Sequence, residues 1–305
     1  MYSSYPHIKK TFLPTALCIL FIANFFAFKN LNPDRIKLYK AAEKIAPKDT
    51  LEKIPDKLVV LTFDDAVASQ YTFVRPILKQ YGFSATFFIT EGFTFRTNKE
   101  DYLTWEQIAT LNNDGFEIGN HTQDHESITR ENVDKLSEQI QAINDRCKEY
   151  GIPKTISFAY PGNFVLAEAL PILSREGIIW ARRGDMPEHE LNYDGKGFGY
   201  EPTIDDPLLI PATGIVGPTW TLDDFKKAVA KARNGKIAVL AFHGVPDREH
   251  PWCNTSPENF HLYMDYLHTE GFRVIAVRDL SKHINPDIHP KDPWAVIERR
   301  KKNHE

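Results

Sequence analysis

The sequence predicts a parallel β/α architecture, and three observations predict it. Short, continuous apolar runs alternate with longer helical stretches. About seven or eight such strand-and-helix units follow one another without an internal repeat. The polar residues that break the apolar pattern sit just after the strands, where β/α folds collect their sites. Pattern alone does not separate a closed barrel from an open doubly wound sheet.

The elements run in order. "KLVVLTF" at 57–63 is a strand rich in Val and Leu. "ASQYTFVRPILKQYG" is helical, with Gly82 as its C-cap and Pro76 as a weak point. "SATFFIT" is a strand. "TWEQIATLNNDG" is a helix opened by a Thr cap, with Glu106 close behind. "FEIGN" is a short strand, and "TRENVDKLSEQIQAINDRCKEYG" is a long helix that ends at Gly151. "KTISFAY", "NFVLAEALPILSREG" and "IIWAR" read as strand, helix and strand. Residues 184–219 are irregular. "TLDDFKKAVAKARNG", capped at Thr221, "KIAVLAFH", "SPENFHLYMDYLHTEG" and "FRVIAV" complete the alternation. The continuous pattern from 57 to 283 predicts one catalytic domain, and the charged end, 284–305, a solvated tail.

The front of the chain is different. Lys9 and Lys10 precede an uncharged run from Thr11 to Phe28. Basic residues followed by an apolar stretch read as an export signal, near the lower length for spanning a bilayer. No small-x-small cleavage site stands out, so residues 1–28 read as a signal-anchor in preference to a cleaved signal peptide. They predict a membrane attachment with the bulk of the chain outside the cytoplasm, in the cell envelope or secreted. Residues 29–56, with Pro33, Pro47 and Pro55, form a connector.

A formal net charge of -4 gives no electrostatic case for nucleic acid. Three cysteines are too few for a disulfide framework; Cys147 and Cys253 either pair or stay reduced.

Five strand ends deliver reactive groups: Asp64 and Asp65, His121 and His125, Gly162, Arg182 and Arg183, and His243. His121 and His125 are four apart, and on a helical turn they share a face, so both imidazoles reach one ion. Two imidazoles and a carboxylate leave an open position on zinc for water. Adjacent strand residues face opposite ways, so Asp64 and Asp65 diverge unless the strand ends there. If the chain bends, one binds a metal and the other faces water; as the bland alternative, the pair caps the next helix. Asp124, between the histidines, reads as solvated. His243 closes a very apolar strand, where an imidazole serves as a general acid.

"TFDD" at 62–65, "HTQDH" at 121–125 and "FH" at 242–243 resemble the motifs of the polysaccharide deacetylase family, the NodB-homology domain or carbohydrate esterase family four, over about residues 57–280. The resemblance implies a distorted (β/α) barrel of about seven parallel strands and metal-dependent removal of acetyl groups from sugars. It implies Asp64 as base, Asp65, His121 and His125 as metal ligands and His243 as acid, around one divalent ion, zinc with cobalt or nickel as alternatives. The acetylated partner is an amino-sugar oligosaccharide or polysaccharide.

Two motifs depart from the family pattern. "AYPG" at 159–162 puts Ala159 where the family carries arginine, with the Gly162 N–H at the oxyanion position. "IIWARR" offers Trp180 and Arg182 but no Asp, and Arg182 is the candidate to steady Asp64. Tyr160, Trp180, Trp220 and Trp252 are candidates to stack on sugar rings, with Trp252 the strongest because it follows the loop after His243; His250 beside it reads as exposed and idle. Two rivals stay open. A phosphate-ester hydrolase would need a second metal or a basic clamp, for which Arg182 and Arg183 are the candidates. A non-catalytic sugar-binding envelope protein draws only on the altered third and fourth motifs.

Overall fold

A computed structural model describes residues 51–189 and 197–302. Residues 51–305 form one compact unit. Among the described residues no helix is long and apolar enough to cross a membrane, so the expected membrane-spanning segment is not found there. The run 1–28 on which that expectation rested, and most of the connector, lie outside the described residues.

Among the described residues eight strands make one curled sheet: β1 (Leu58–Phe63), β2 (Thr86–Ile89), β3 (Glu117–Asn120), β4 (Ser157–Ala159), β5 (Trp180–Arg182), β6 (Gly214–Ile215), β7 (Ala238–Phe242) and β8 (Arg273–Ile275). The order is β5-β4-β3-β2-β1-β7-β6, with β8 paired to β1, and every strand pair is parallel. On one edge β1 pairs with β7 from Val59 to Phe63. On the other it pairs with β8 over Leu58–Val60 and with β2 at Thr62 and Phe63. β1 and β2 therefore splay at their starts, and β8 fills the wedge. That strand accounts for eight where the resemblance implied about seven.

The free edges are joined by one stretch of chain. Ala181 N–H donates to Pro207 O (2.8 Å) and Ile210 N–H to Ala181 O (2.9 Å), so the first half of segment 207–216 bonds to β5. Thr213 N–H donates to Val239 O (2.7 Å) and Val216 N–H to Ala241 O (2.8 Å), so the second half bonds to β7. The result is the distorted (β/α) barrel. All six residues of β1 are buried, as a strand covered on both faces requires. Phe63 stacks on Phe87 and Phe242 at 5.1 and 5.4 Å, which fixes the centre of the main core.

Among the described residues seven α-helices accompany the sheet: α1 (Arg75–Tyr81), α2 (Trp105–Asn113), α3 (Leu136–Glu149), α4 (Leu170–Arg175), α5 (Leu222–Val229), α6 (Pro257–Thr269) and α7 (Ala295–Lys302). Thr104 and Thr221 cap α2 and α5 with reciprocal capping boxes, closed by Gln107 and Asp224. Such a cap contributes about 1 kcal/mol. The chain before α1 is a π-helical turn, Gln70–Val74. Pro76 has no N–H to give the regular bond four residues back, so the α-helical ladder starts only at Arg75. α4 is shorter than its sequence pattern, because Gly162 at φ +63 and Pro171 delay its start.

The C-terminal segment is not a solvated tail. α7 buries Val296, Ile297 and Arg300, and the Arg300 guanidinium holds Asp205 with two bonds of 2.7 and 3.0 Å. Its charges therefore divide between a buried ion pair and an exposed face. Cys147 and Cys253 are both free and buried, and burial pushes the Cys147 thiol up to about 12.

Candidate metal centre

β1 stops at Phe63, and the sheet ladder continues one step further: Asp64 N–H donates to Phe242 O at 2.9 Å. The chain then turns, with Asp65 at φ +70 and Ala66 at φ +54. Left-handed backbone costs a residue with a Cβ roughly 1–2 kcal/mol. The turn is held by Leu103 N–H to Ala66 O (2.8 Å) and Ala68 N–H to Asp101 O (2.7 Å). An extended chain would send the two carboxylates apart, whereas this one brings both to the same pocket.

His121 and His125 follow β3, but not on a helical turn. Residues 121–125 are irregular, with Thr122 at φ +61 and His125 at φ +57. The shared helical face expected from the four-residue spacing is thus corrected: the imidazoles converge because the loop folds back on itself. Asn120 helps shape the loop, accepting from Thr122 N–H at 3.0 Å and donating to Ile140 O at 3.0 Å. Gly92 packs so closely that an added Cβ would lie 2.7 Å from the His125 Cβ.

His121 Nδ1 lies 2.8 Å from Ala159 O, so Nδ1 carries the proton and Nε2 keeps its lone pair. That Nε2 lies 3.4 Å from Asp65 Oδ1 and 3.2 Å from His125 Nε2, and His125 Nε2 lies 3.1 Å from the same Oδ1. The three ligand atoms fall within 4.8 Å of one another. Asp65 Oδ1 is buried with no hydrogen-bond partner. Lone pairs facing one another around an unsatisfied carboxylate oxygen fit a divalent cation, and the nitrogen and oxygen donors fit zinc. Burial by itself raises the Asp65 carboxyl, but the imidazoles of His125, His121 and His243 reverse this and hold it well below the ordinary carboxylate range. Burial likewise lowers His121, and Asp65 and Asp64 outweigh it to push the imidazole up. Each shift favours a charge beside its opposite, as a site built around ionic partners requires.

Asp64 belongs to a second set. Its Oδ2 accepts from Arg182 Nη2 at 2.5 Å, and its Oδ1 is buried without a partner. Arg182 reaches across from β5 and is itself buried. Arg183 is committed elsewhere: it donates to both carboxylate oxygens of Glu188 and to Leu209 O. Arg183 is thus taken up by Glu188, while Arg182 pairs with Asp64 through Nη2 and keeps Nε and Nη1 without a partner. His243 closes β7, with Nε2 3.8 Å from Asp65 Oδ2 and a buried Nδ1 that has no partner. Gln70, which the sequence reading missed, donates to Asp64 O (2.5 Å) and His243 O (3.3 Å) and so ties the two strand ends together. No local pattern marks Gln70 in the sequence; its full burial appears only in the fold.

Asp64, Asp65, His121, His125 and His243 line one pocket of about 220 Å³ with Gly162, Phe93, His250 and Trp252. Gly162 sits at φ +63, a left-handed backbone that favours glycine, and an added Cβ would stand 2.5 Å from Ser127 Oγ. Trp180 is a correction: it is fully buried in the core, and its Nε1 donates to Ser281 Oγ, which leaves no face for a sugar. Trp220 is buried likewise. Tyr160 lines the same pocket, with its side chain buried and its hydroxyl donating to Leu208 O at 2.9 Å. Trp252 is exposed at the pocket rim. His250 is buried rather than idle on the surface, and Asp124 is exposed as read. Among the described residues Asp65, His121 and His125 are the one group of three or more such side chains placed to share an ion.

Residues 52–179 match the family model described as polysaccharide deacetylase. A peptidoglycan-N-acetylglucosamine deacetylase from Bacillus cereus is 31% identical over 134 residues, covering 43% of this chain and 59% of that protein. A poly-beta-1,6-N-acetyl-D-glucosamine N-deacetylase from Staphylococcus aureus is 28% identical over 137 residues, covering 41% of this chain and 47% of the relative. The chain spans about half the length of the curated relatives it matches. The crystal structure of a peptidoglycan N-acetylglucosamine deacetylase is similar with a TM-score of 0.52 at 18% identity, over 78% of this chain and 94% of that one. A carbohydrate esterase family 4 domain of a xylanase, from the hindgut metagenome of Trinervitermes trinervoides, gives 0.50 at 19%, over 78% and 96%. At such identities the likeness is one of fold. Motif order and donor geometry agree with the match of residues 52–179 to the polysaccharide deacetylase family model.

Proposed function

We propose that this protein hydrolyses acetyl groups, chiefly N-acetyl, from an amino-sugar oligosaccharide or polysaccharide. The observation that carries the reading is the convergence of Asp65, His121 and His125 beside a second carboxylate, Asp64, that does not share their ion. Asp65, His121 and His125 would hold a divalent cation, which would supply Lewis acidity to water and to an acetyl carbonyl. Asp64 takes a proton from the attacking water, and the Arg182 guanidinium holds that carboxylate in position. The Gly162 N–H faces the charge that grows on the carbonyl oxygen. His243 gives a proton to the departing nitrogen. Each proton thus has a named donor and acceptor, and no covalent enzyme intermediate is needed. The catalytic domain is assigned to 57–283. Its substrate places its work outside the cytoplasm, in keeping with relatives named for peptidoglycan and poly-N-acetylglucosamine.

The test is acetate release from acetylated chitooligosaccharides by zinc-loaded protein, with Asp64→Asn measured alongside. The variant is expected to retain zinc, measured as metal per chain, and to lose turnover by at least about a hundredfold. Equal turnover in the two proteins rejects Asp64 as base. Absence of acetate release from any acetylated sugar in the zinc-loaded native protein rejects the activity.

A further inference from the structure

In a parallel β/α fold the connections between strands lay helices on the sheet, because both of its faces need cover. α1 to α6 do so here for every consecutive pair of strands except β5 and β6. Among the described residues no helix lies between those two, and α7 stands in for it. Val296 and Ile297 of α7 share one apolar cluster with Phe158 of β4, Ala181 of β5, and Leu208 and Leu209 of segment 207–216. The C-terminal helix thus covers the seam at which that segment closes the barrel.

Charges as well as apolar contacts dock the helix. Arg300 pairs with Asp205, and its Nη1 lies 3.7 Å from Glu188 Oε1. Glu188 in turn takes both ends of the Arg183 guanidinium, at 2.7 and 2.6 Å. None of these four side chains is more than 8% exposed. Burying ion pairs adds little to stability, since desolvation offsets their attraction, but planar guanidinium–carboxylate forks fix direction. A second tie comes from the chain just before α7: His289 Nδ1 lies 2.9 Å from Asp206 Oδ2, while Asp206 Oδ1 accepts from Leu208 N–H at 2.8 Å. Both ties lead to β5, because Arg183 Nε donates to Leu209 O (3.1 Å) and Arg183 N–H to Ile210 O (2.9 Å).

Arg182, the neighbour of Arg183, is the residue that holds Asp64. Its guanidinium hydrogen-bonds to Asp64 alone, with Nε and Nη1 buried and unpartnered. No second hydrogen bond aims it, so its direction follows from the backbone of β5. We propose that α7 is a positioning element of the active site: Arg300, through the buried Glu188–Arg183 pair, holds β5 in place and with it Arg182 against Asp64. The catalytic consequence rests on the deacetylase reading above, whereas the hold on β5 is measured without turnover.

The experiment compares zinc-loaded native and Arg300→Met protein in acetate release from acetylated chitooligosaccharides and in hydrogen exchange read by mass spectrometry. Arg300→Met is expected to lower kcat at least about tenfold, with KM within about twofold and metal per chain unchanged. Arg300→Lys keeps the charge without the fork and is expected to restore part of the loss. In an Arg182→Lys background, Arg300→Met is expected to cost less than about twofold more, because both changes act on the same carboxylate. Exchange is expected to quicken over 180–185 and 207–212. If Arg300→Met does not fold, Val296→Ala, which loosens the same helix from its apolar side, is read in its place. An unchanged kcat, or an equal fold loss in the native and Arg182→Lys backgrounds, overturns the positioning role. Unchanged exchange over 180–185 overturns the hold of α7 on β5. If the native protein releases no acetate, the activity fails, and exchange over 180–185 still decides whether α7 holds β5.

Discussion

Asp64 and Asp65 are neighbours in sequence with different partners in space. Asp65 faces two imidazole nitrogens, while Asp64 faces a guanidinium. The division follows from one left-handed residue, since φ +70 at Asp65 turns the chain where a strand would carry the second carboxylate to the opposite face. Arg182 is the least replaceable partner in this arrangement. Arg182→Met keeps the apolar stem and removes the charge, which leaves a buried carboxylate uncompensated. The expected cost is about 3–5 kcal/mol in urea denaturation, with loss of acetate release. Adding Asp64→Asn to Arg182→Met is expected to recover most of the stability and none of the turnover, because the pair is coupled. Simple addition of the two single losses would show that the ion pair does not hold Asp64.

Opposite the pocket, a buried acid joins several elements at the strand starts. Glu117, first residue of β3, accepts from Ser157 Oγ on β4 (2.5 Å), from Thr86 Oγ1 on β2 (2.6 Å) and from Arg278 N–H after β8 (2.8 Å). Burial raises its carboxyl above the ordinary 4.5, and the Ser157 and Thr86 hydroxyls only partly oppose this. A carboxyl raised in the folded state contributes stability that is complete below its unfolded value. That contribution is lost as pH climbs through the folded value. Glu117→Gln never ionises, and its amide can serve the same partners once Ser157 accepts instead of donates. The variant is therefore expected to gain on the native protein as pH rises from about 4 to about 8. Melting curves of both proteins across that range check it; a constant difference in melting temperature would contradict the direction of the shift.

For the whole molecule, the ion site links turns that are far apart in sequence. Asp65 follows β1, and His121 and His125 follow β3 on the far side of β2. A cation held there exists only when the sheet has formed, so it stabilises the folded state by mass action. At free zinc about a hundred times its dissociation constant the gain is about 2.7 kcal/mol. Zinc is expected to raise the melting temperature and a chelator to reverse it, while His125→Ala abolishes the response. A melting temperature indifferent to zinc in the native protein would mean that the three donors do not share an ion.

The β/α alternation was legible in the sequence because fully buried parallel strands leave continuous apolar runs. The candidate metal ligands were legible too, because motif order survives folding. "TFDD", "HTQDH" and the terminal "FH" named Asp64, Asp65, His121, His125 and His243 before any coordinate. Other features depended on contacts between distant segments, which no local period encodes. Only the fold put β8 in the wedge beside β1, placed Arg182 against Asp64, buried Trp180 and Tyr160, docked α7 through Arg300 and set Phe93 beside His250. The sequence by itself determined which side chains can do chemistry, because reactivity is a property of residue type. The tertiary structure decided which of them meet, because left-handed turns at Asp65 and His125 and packing across the barrel set their directions.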